Sequence, residues 1–471
     1  MFQDQFIAAS RRYIEINAAS IQIYRYFRKA FNIVADDCGP YGNVIGIFFH
    51  DLMIHFTGIL IQRESIGENG EDAWFPFVRR DYAINPFPVD GFTDRSTGAP
   101  LRQRLRQIPV VPLAVGEAIP LGYLDATLLR KWFSLFTAYQ SFDQAYLPRY
   151  HLQLDIVSNA ILECSKEYCI TNPNVLLENW KRYIEIHATA NQARTKSKAL
   201  VVGTRAVLQN RKLAANYLMQ DKAVLGLTHG EITNTVFNEP LFGYADLGMC
   251  SILLDYGEIK DEYEFNEPLI KPHQILHRSS RTIKRLYRAK PDISAVEVHS
   301  CRSLYIPTMY SGNFHYGPFR GLEDDVYKYW QEHLVSSITN LTIKGHPKST
   351  KPEFGVRVEN RWLEECMDAY DLLILDYYST AASIAVFSDK PVIFFDIGLR
   401  NMGSRYTELL RKRCHYRTID LCEALSSQIN EVLNSFVEEG NSWSNLSLKD
   451  YAIRKDNGDG VWPALVSTLF N

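Results

Sequence analysis

The chain contains no Cys-x-x-Cys pair. Its eight cysteines, at 38, 164, 169, 250, 301, 366, 414 and 422, are scattered through 471 residues. That spacing argues against a zinc site and against a disulfide framework, and it suits the reduced thiols of a cytosolic protein. No Asp-x-Asp triplet occurs either, which disfavours a diphosphate held through a metal ion. No run reaches the ~18 uninterrupted apolar residues of a membrane span. Met1-Phe2-Gln3-Asp4 does not open a signal peptide, so a cytoplasmic protein, at most peripheral on a membrane, is expected. Net charge is only −3 and the pI is near 6.5, so no general affinity for nucleic acid is implied. Internal repeats and low-complexity tracts are absent.

What is present is core material: 46% of residues are hydrophobic and 13% aromatic. A chain of this length exceeds one ordinary core and suits two domains. Residues 5–33 carry Ile, Tyr and Phe at helical spacing with Arg and Lys between them, an amphipathic helix. Val44–Ile61 is apolar but interrupted by His50, Asp51 and His55; without a third ligand at a recognisable spacing, these histidines read as buried and structural. Residues 63–120 are rich in Pro, Gly and charge, as in a long loop, and 124–190 return to helical patterning.

At Lys198 the pattern changes. KALVVG (198–203), a helix over Gln209–Met219, and a strand over Ala223–Leu227 make a β-α-β unit. Its first strand leads into Thr204, Arg205 and Arg211 and its second into Thr228-His229-Gly230-Glu231, so the two strand ends place Thr204, Arg205, Arg211, His229 and Glu231 near one rim. His and Glu beside a glycine at a strand tip are suited to acid–base or nucleophilic work. A helix–strand element follows over 245–256. Residues 258–290 are charged and aperiodic, ending in the basic HRSSRTIKRLYRAK, and read as the connection between domains.

The second half is organised around Leu341–Asp396. An apolar run ends in Lys344-Gly345-His346-Pro347-Lys348. A second ends in Asp376-Tyr377-Tyr378-Ser379-Thr380 and passes straight into a helix of small residues, and a third is Pro391–Phe395. Short apolar strands of this kind belong to buried parallel sheets, whose ligands collect at the strands' carboxyl ends. Ser379 and Thr380 fall at a helix N-terminus, where free N–H groups and the helix dipole favour an anion. Upstream, a strand over 303–307 leads into Thr308, Ser311 and Gly312, a loop able to cradle phosphate; a short strand over 356–359 ends on Glu359. The alternation of strand and helix predicts an α/β fold.

The ordered set HGE (229–231), YIPT (305–308), HP (346–347) and DYYST…KPVIF (376–394) resembles bacterial GT-B glycosyltransferases of surface-polysaccharide biosynthesis. Those using CMP-linked Kdo or other nonulosonic acids look most similar, and the resemblance covers roughly residues 198–400. It implies two Rossmann-like domains facing each other across a cleft, with extra N- and C-terminal helices. The acceptor-side domain would be 1–285, the nucleotide-sugar-binding domain 286–440, and the tail 441–471. By the same resemblance His346, Ser379 and Thr380 would contact the donor phosphate, and the strand-end residues Lys344, Pro347, Lys348, Thr308, Ser311, Gly312 and Glu359 complete the expected nucleotide site. Glu231, His229 and His346 would be catalytic, with Asp36-Asp37 as the alternative carboxylate, and Thr204, Arg205 and Arg211 would meet the sugar.

The partners implied are a nucleotide-sugar donor and a saccharide or glycolipid acceptor for capsule or lipopolysaccharide, with contact to a membrane surface. Neither metal nor cofactor is expected. Teichoic-acid polymerases using a CDP-alcohol share a similar order of motifs, so transfer of a polyol phosphate is the alternative, together with a nucleotide-sugar epimerase on the same architecture.

Overall fold

In a computed structural model the structure describes residues 147–167, 199–202, 221–228, 230, 234–236, 246–257, 272–288, 300–308, 324–345, 354–439 and 448–454, with isolated positions between 22 and 33 and between 173 and 218. The Asp36-Asp37 pair, His50, Asp51, His55 and the 63–120 segment lie outside the described residues. So do Thr204, Arg205, Arg211, His229, Glu231, Ser311, Gly312, His346, Pro347 and Lys348.

The protein is α/β with two all-parallel sheets. The first runs β1 (Ala199–Val202), β2 (Ala223–Leu227), β3 (Ile252–Tyr256) and β4 (Gln274–Arg278) in simple order, with Val201 opposite Leu225 and Leu254 opposite Leu276. Every residue of β3 is buried, Asp255 included, as expected of a strand covered on both faces. β4 lies inside the stretch that the sequence presents as a domain connection; its polar residues conceal a five-residue pairing with β3. Helix α1 (Leu147–Glu167) buries Val157, Ile161 and Cys164, and Tyr26 hydrogen-bonds across to its Glu163.

The second sheet has six strands: β5 (Ser303–Ile306), β6 (Leu341–Lys344), β7 (Arg357–Glu359), β8 (Leu372–Leu375), β9 (Val392–Asp396) and β10 (His415–Thr418). Their spatial order is β10-β9-β8-β5-β6-β7, so the chain starts in the middle and winds outward in both directions. Period-two alternation divides the side chains between two cores. Leu304, Ile306, Leu373, Leu375 and Phe394 face α5 (Thr380–Phe387) and α6 (Ser404–Arg411). Tyr305, Ile374, Ile393 and Phe395 face α3 (Asp324–Ser337) and α7 (Leu425–Glu439). Helix α2 (Arg281–Leu286) buries Ile283 in the same core as α5, so the basic stretch after β4 belongs with the second sheet.

Helix α5 is apolar all round, with Ala382–Phe387 buried without a break. Water cannot reach its end, so the chain must satisfy the terminal carbonyls itself. Phe387 O accepts from Arg288 N (3.1 Å) and Ala385 O from Ser388 N (3.2 Å) and Oγ (2.7 Å), while Arg413, fully buried, serves the chain just beyond: its Nη2 donates to Ser388 O (3.0 Å) and Lys390 O (2.8 Å). A cation at a helix C-terminus also complements the dipole, although burial lowers the Arg413 pKa to about 10.

The two units are cross-braced. Met402 bridges Val236, and Gly403 N donates to Thr235 O (2.9 Å). The segment 448–454 returns to the first sheet, where Ser280 N donates to Ala452 O (2.8 Å), Arg454 Nη1 to His277 O (2.8 Å), and Asn234 Nδ2 to both Tyr256 O and Tyr451 O (3.0 Å each). Gly257 (φ +72) takes a left-handed turn against the Tyr451 backbone, which leaves no room for a β-carbon. Replacing Arg413 with Ala should cost ~3–5 kcal/mol, because a cavity and two orphaned carbonyls appear together. Urea denaturation checks this, and a loss below about 1 kcal/mol would show that α5 does not depend on its buried cation.

Candidate functional site

All six strands of the second sheet point their carboxyl ends to one rim. At its centre lie β5 and β8, adjacent in space although their helical connections leave in opposite directions. Ser379 caps α5 in an extended conformation, its hydroxyl accepting from Ala382 N (3.4 Å). Thr380 opens the helix beside it. Both are half-buried, and both were expected at this position.

Opposite Thr380 is the tip of β2. A β-carbon added to Gly230 would overlap Thr380 Oγ1, so the glycine permits first-sheet backbone to touch the N-terminal turn of α5. One residue before His229, Thr228 is 8% exposed and its Oγ1 has no hydrogen-bond partner. Few buried hydroxyls are left this way. The rim therefore joins a helix N-terminus, a close backbone approach and an orphaned hydroxyl, contributed by both sheets.

Behind the rim is a polar network that the sequence does not announce. Asp376, 2% exposed, accepts from Trp330 Nε1 (3.0 Å), from Tyr327 Oη (3.0 Å) and from Tyr305 Oη. Gln331 Nε2 donates to Tyr305 Oη (3.0 Å), and Thr308 N donates to Tyr327 Oη (3.0 Å). The tip of β5 is thus tied through one tyrosine to the carboxylate at the end of β8. Three donors favour the ionised acid, but burial outweighs them and lifts the Asp376 pKa from 3.8 to about 6. Within DYYST, Ser379 and Thr380 are the residues expected at a phosphate, and Asp376 and Tyr378 serve the interior. Tyr378 hydrogen-bonds Tyr406, which packs on Tyr451 of the returning segment (ring centroids 4.6 Å).

Arg400, in the loop after β9, stacks over Tyr377 (4.4 Å) and donates to Tyr378 O (2.7 Å), bracing the same turn. Nothing in the sequence singles it out. Lys344, at the tip of β6, is half-buried; its Nζ donates to Gly345 O (3.0 Å), and burial lowers its pKa. Glu359, at the tip of β7, is held by Arg361, whose Nε and Nη2 reach its two oxygens at 3.1 and 2.6 Å. This fork pulls the Glu359 pKa down to about 2. Its carboxylate is therefore engaged by Arg361 at the tip of β7.

Ser379, Thr380, Thr308, Lys344 and Glu359 thus share one rim, spread over β8, β5, β6 and β7. Among the described residues no cluster of three His, Cys, Asp or Glu could hold a metal. Nor is any helix among them long and apolar enough to cross a membrane. No family model, curated protein or solved structure matches this chain.

The raised Asp376 pKa has a signed consequence. Between pH ~4 and ~6 the folded state keeps a proton that the unfolded state has lost, so this group makes stability fall as pH rises through that window. Replacing Asp376 with Asn should flatten that slope, by up to about 3 kcal/mol between pH 4 and 7. Chemical denaturation at stepped pH measures it, and identical slopes in both proteins would refute the protonated acid. Gly230→Ala should push the β2 tip away from Thr380, lowering ligand affinity at the rim while far-UV circular dichroism stays unchanged.

Proposed function

We propose that the protein is a glycosyltransferase of GT-B type. It moves a sugar, best read as Kdo or another ulosonic acid from a CMP-linked donor, onto a bacterial surface polysaccharide or glycolipid. One observation carries this reading: the contact between Gly230 and Thr380. It makes the anion-ready N-terminus of α5 a boundary shared by the two sheets. The strand order supports it further. Doubly wound sheets bind nucleotides outside the carboxyl ends, where the strand order reverses, and here that point is β5–β8. On this reading the sheets are two Rossmann-like domains, and the segment 448–454 is a strap from the second back to the first.

In the mechanism so proposed, an acceptor hydroxyl attacks the anomeric carbon while the nucleotide phosphate leaves. Negative charge grows on that phosphate, and donors fixed in place before the reaction stabilise it best. The α5 N–H groups with Thr380 supply part of that field, and His346, Lys344 and Lys348 supply the rest. Asp376 fixes the turn without touching the ligand. Glu231 acts as general base on the acceptor, with His229 orienting it, and Thr204, Arg205 and Arg211 receive the sugar. A fork from either arginine suits the carboxylate of an ulosonic acid.

The test is a thermal-shift panel of CMP, CDP, UDP and GDP. A ligand at 100 times its Kd adds ~2.7 kcal/mol, a readily visible shift. Selective stabilisation by CMP is expected, and UDP or GDP in its place would overturn the donor assignment. Selective CDP binding, with the donor cleaved at its phosphoanhydride, would point to polyol-phosphate transfer. His346→Ala should lose roughly 2–4 kcal/mol of transition-state stabilisation; normal turnover by that variant would remove His346 from the mechanism.

A further inference from the structure

Trp362 is 65% exposed, one of two large hydrophobic side chains so open among the described residues, the other being Ile33. It stands just past the tip of β7, on a loop that is fastened on both sides. Before it, Arg361 N donates to Glu359 Oε1 (2.9 Å) and the Arg361 guanidinium forks onto both carboxylate oxygens. After it, Leu363 is buried in the core, and Trp362 O accepts from Glu365 N (3.0 Å) at the start of helix α4 (Leu363–Cys366). The neighbouring tip of β6 is locked to the same loop: Gly345 N donates to Glu359 O (2.8 Å), and a β-carbon on Gly345 would lie 2.8 Å from Asn360 Oδ1. An indole left in water forgoes the burial that usually justifies its size, and this one is held on a rigid support at the ligand-bearing rim.

Its neighbours decide what it fits. Asn360, Arg361, Glu364 and Glu365 flank it along the chain, and the one apolar residue among them, Leu363, is buried. A single flat ring on a polar rim is suited to stacking another flat ring. Strand positions supply the direction: β7 lies three strand steps, about 14 Å, from β8 and one step from β6. A nucleotide whose phosphate sits at α5 and which lies across the tips of β5 and β6 extends its base toward Trp362. We propose that Trp362, presented by the Glu359–Arg361 fork, is the stacking platform for the nucleobase of the bound nucleotide. The subsite rests on the nucleotide-binding reading above and adds to it the residue that holds the base.

The experiment titrates CMP, and ribose 5-phosphate as a probe without a base, into the full-length wild type, Trp362→Ala and Trp362→Phe by calorimetry. Trp362 is exposed, so the variants should fold, and thermal melts confirm it. Alanine should weaken CMP binding about tenfold, leave ribose 5-phosphate unchanged, and be largely rescued by phenylalanine. Quenching of tryptophan emission by CMP should also drop in Trp362→Phe relative to the wild type. Unchanged CMP affinity in Trp362→Ala overturns the subsite alone, as does equal weakening of both probes. A wild type that binds no nucleotide overturns the functional reading, and the base subsite with it.

Discussion

Helix α5 cannot use water at its far end, and much of the second unit follows from that. From Ala382 to Phe387 it is surrounded by core, so its C-terminal carbonyls require a donor brought from elsewhere in the chain. Arg288 N, just past α2, supplies it to Phe387 O, and Arg413, from the turn before β10, serves Ser388 O and Lys390 O immediately beyond, at the cost of burying a guanidinium. The opposite end is treated differently. Ser379 satisfies one amide, and the remaining polarity is turned toward the rim, where Thr380 meets Gly230 of the other sheet. A helix closed at one end and open at the other has its dipole aimed at whatever occupies the rim.

The rim itself is kept in shape by groups that stay inside. Asp376, Tyr305, Tyr327 and Trp330 form a buried cluster whose hydrogen bonds are made across three elements: β5, α3 and the end of β8. Low surrounding polarity strengthens each bond and makes any unmade one expensive. Tyr378 and Tyr406 extend the same principle outward to Tyr451, so the turn before α5 is in packing contact with the segment that returns to the first sheet. Movement between the two units would therefore be felt at Ser379 and Thr380, through rings packed edge to face rather than along the backbone.

Much of the fold was legible because parallel strands buried on both faces are nearly pure apolar runs. LLIL at 372–375 and VIFF at 392–395 can be little else. The cap at Ser379 was legible for a similar reason, since serine before a run of small helix-formers has a local cause. β4 and β10 were not, because QILHR and HYRT carry polar residues whose burial depends on neighbouring elements. Helix α6 is strongly two-sided, yet its short length gave the pattern little room. At the site, Thr308, Lys344, Ser379 and Thr380 do reach one rim. Glu359 reaches it too, but with its carboxylate taken by Arg361, a pairing two residues apart whose geometry depends on the turn after β7.

Local order along the chain was enough to determine the apolar strands, the start of α5 and the polar residues that end each apolar run, because those are effects of neighbours in sequence. Which strand tips stand side by side, that Gly230 touches Thr380, that Asp376 faces inward and that Trp362 is left in water were decided only by tertiary structure. Each depends on groups between roughly fifteen and 150 residues apart or on the exclusion of solvent, and neither is written in a residue's immediate neighbours.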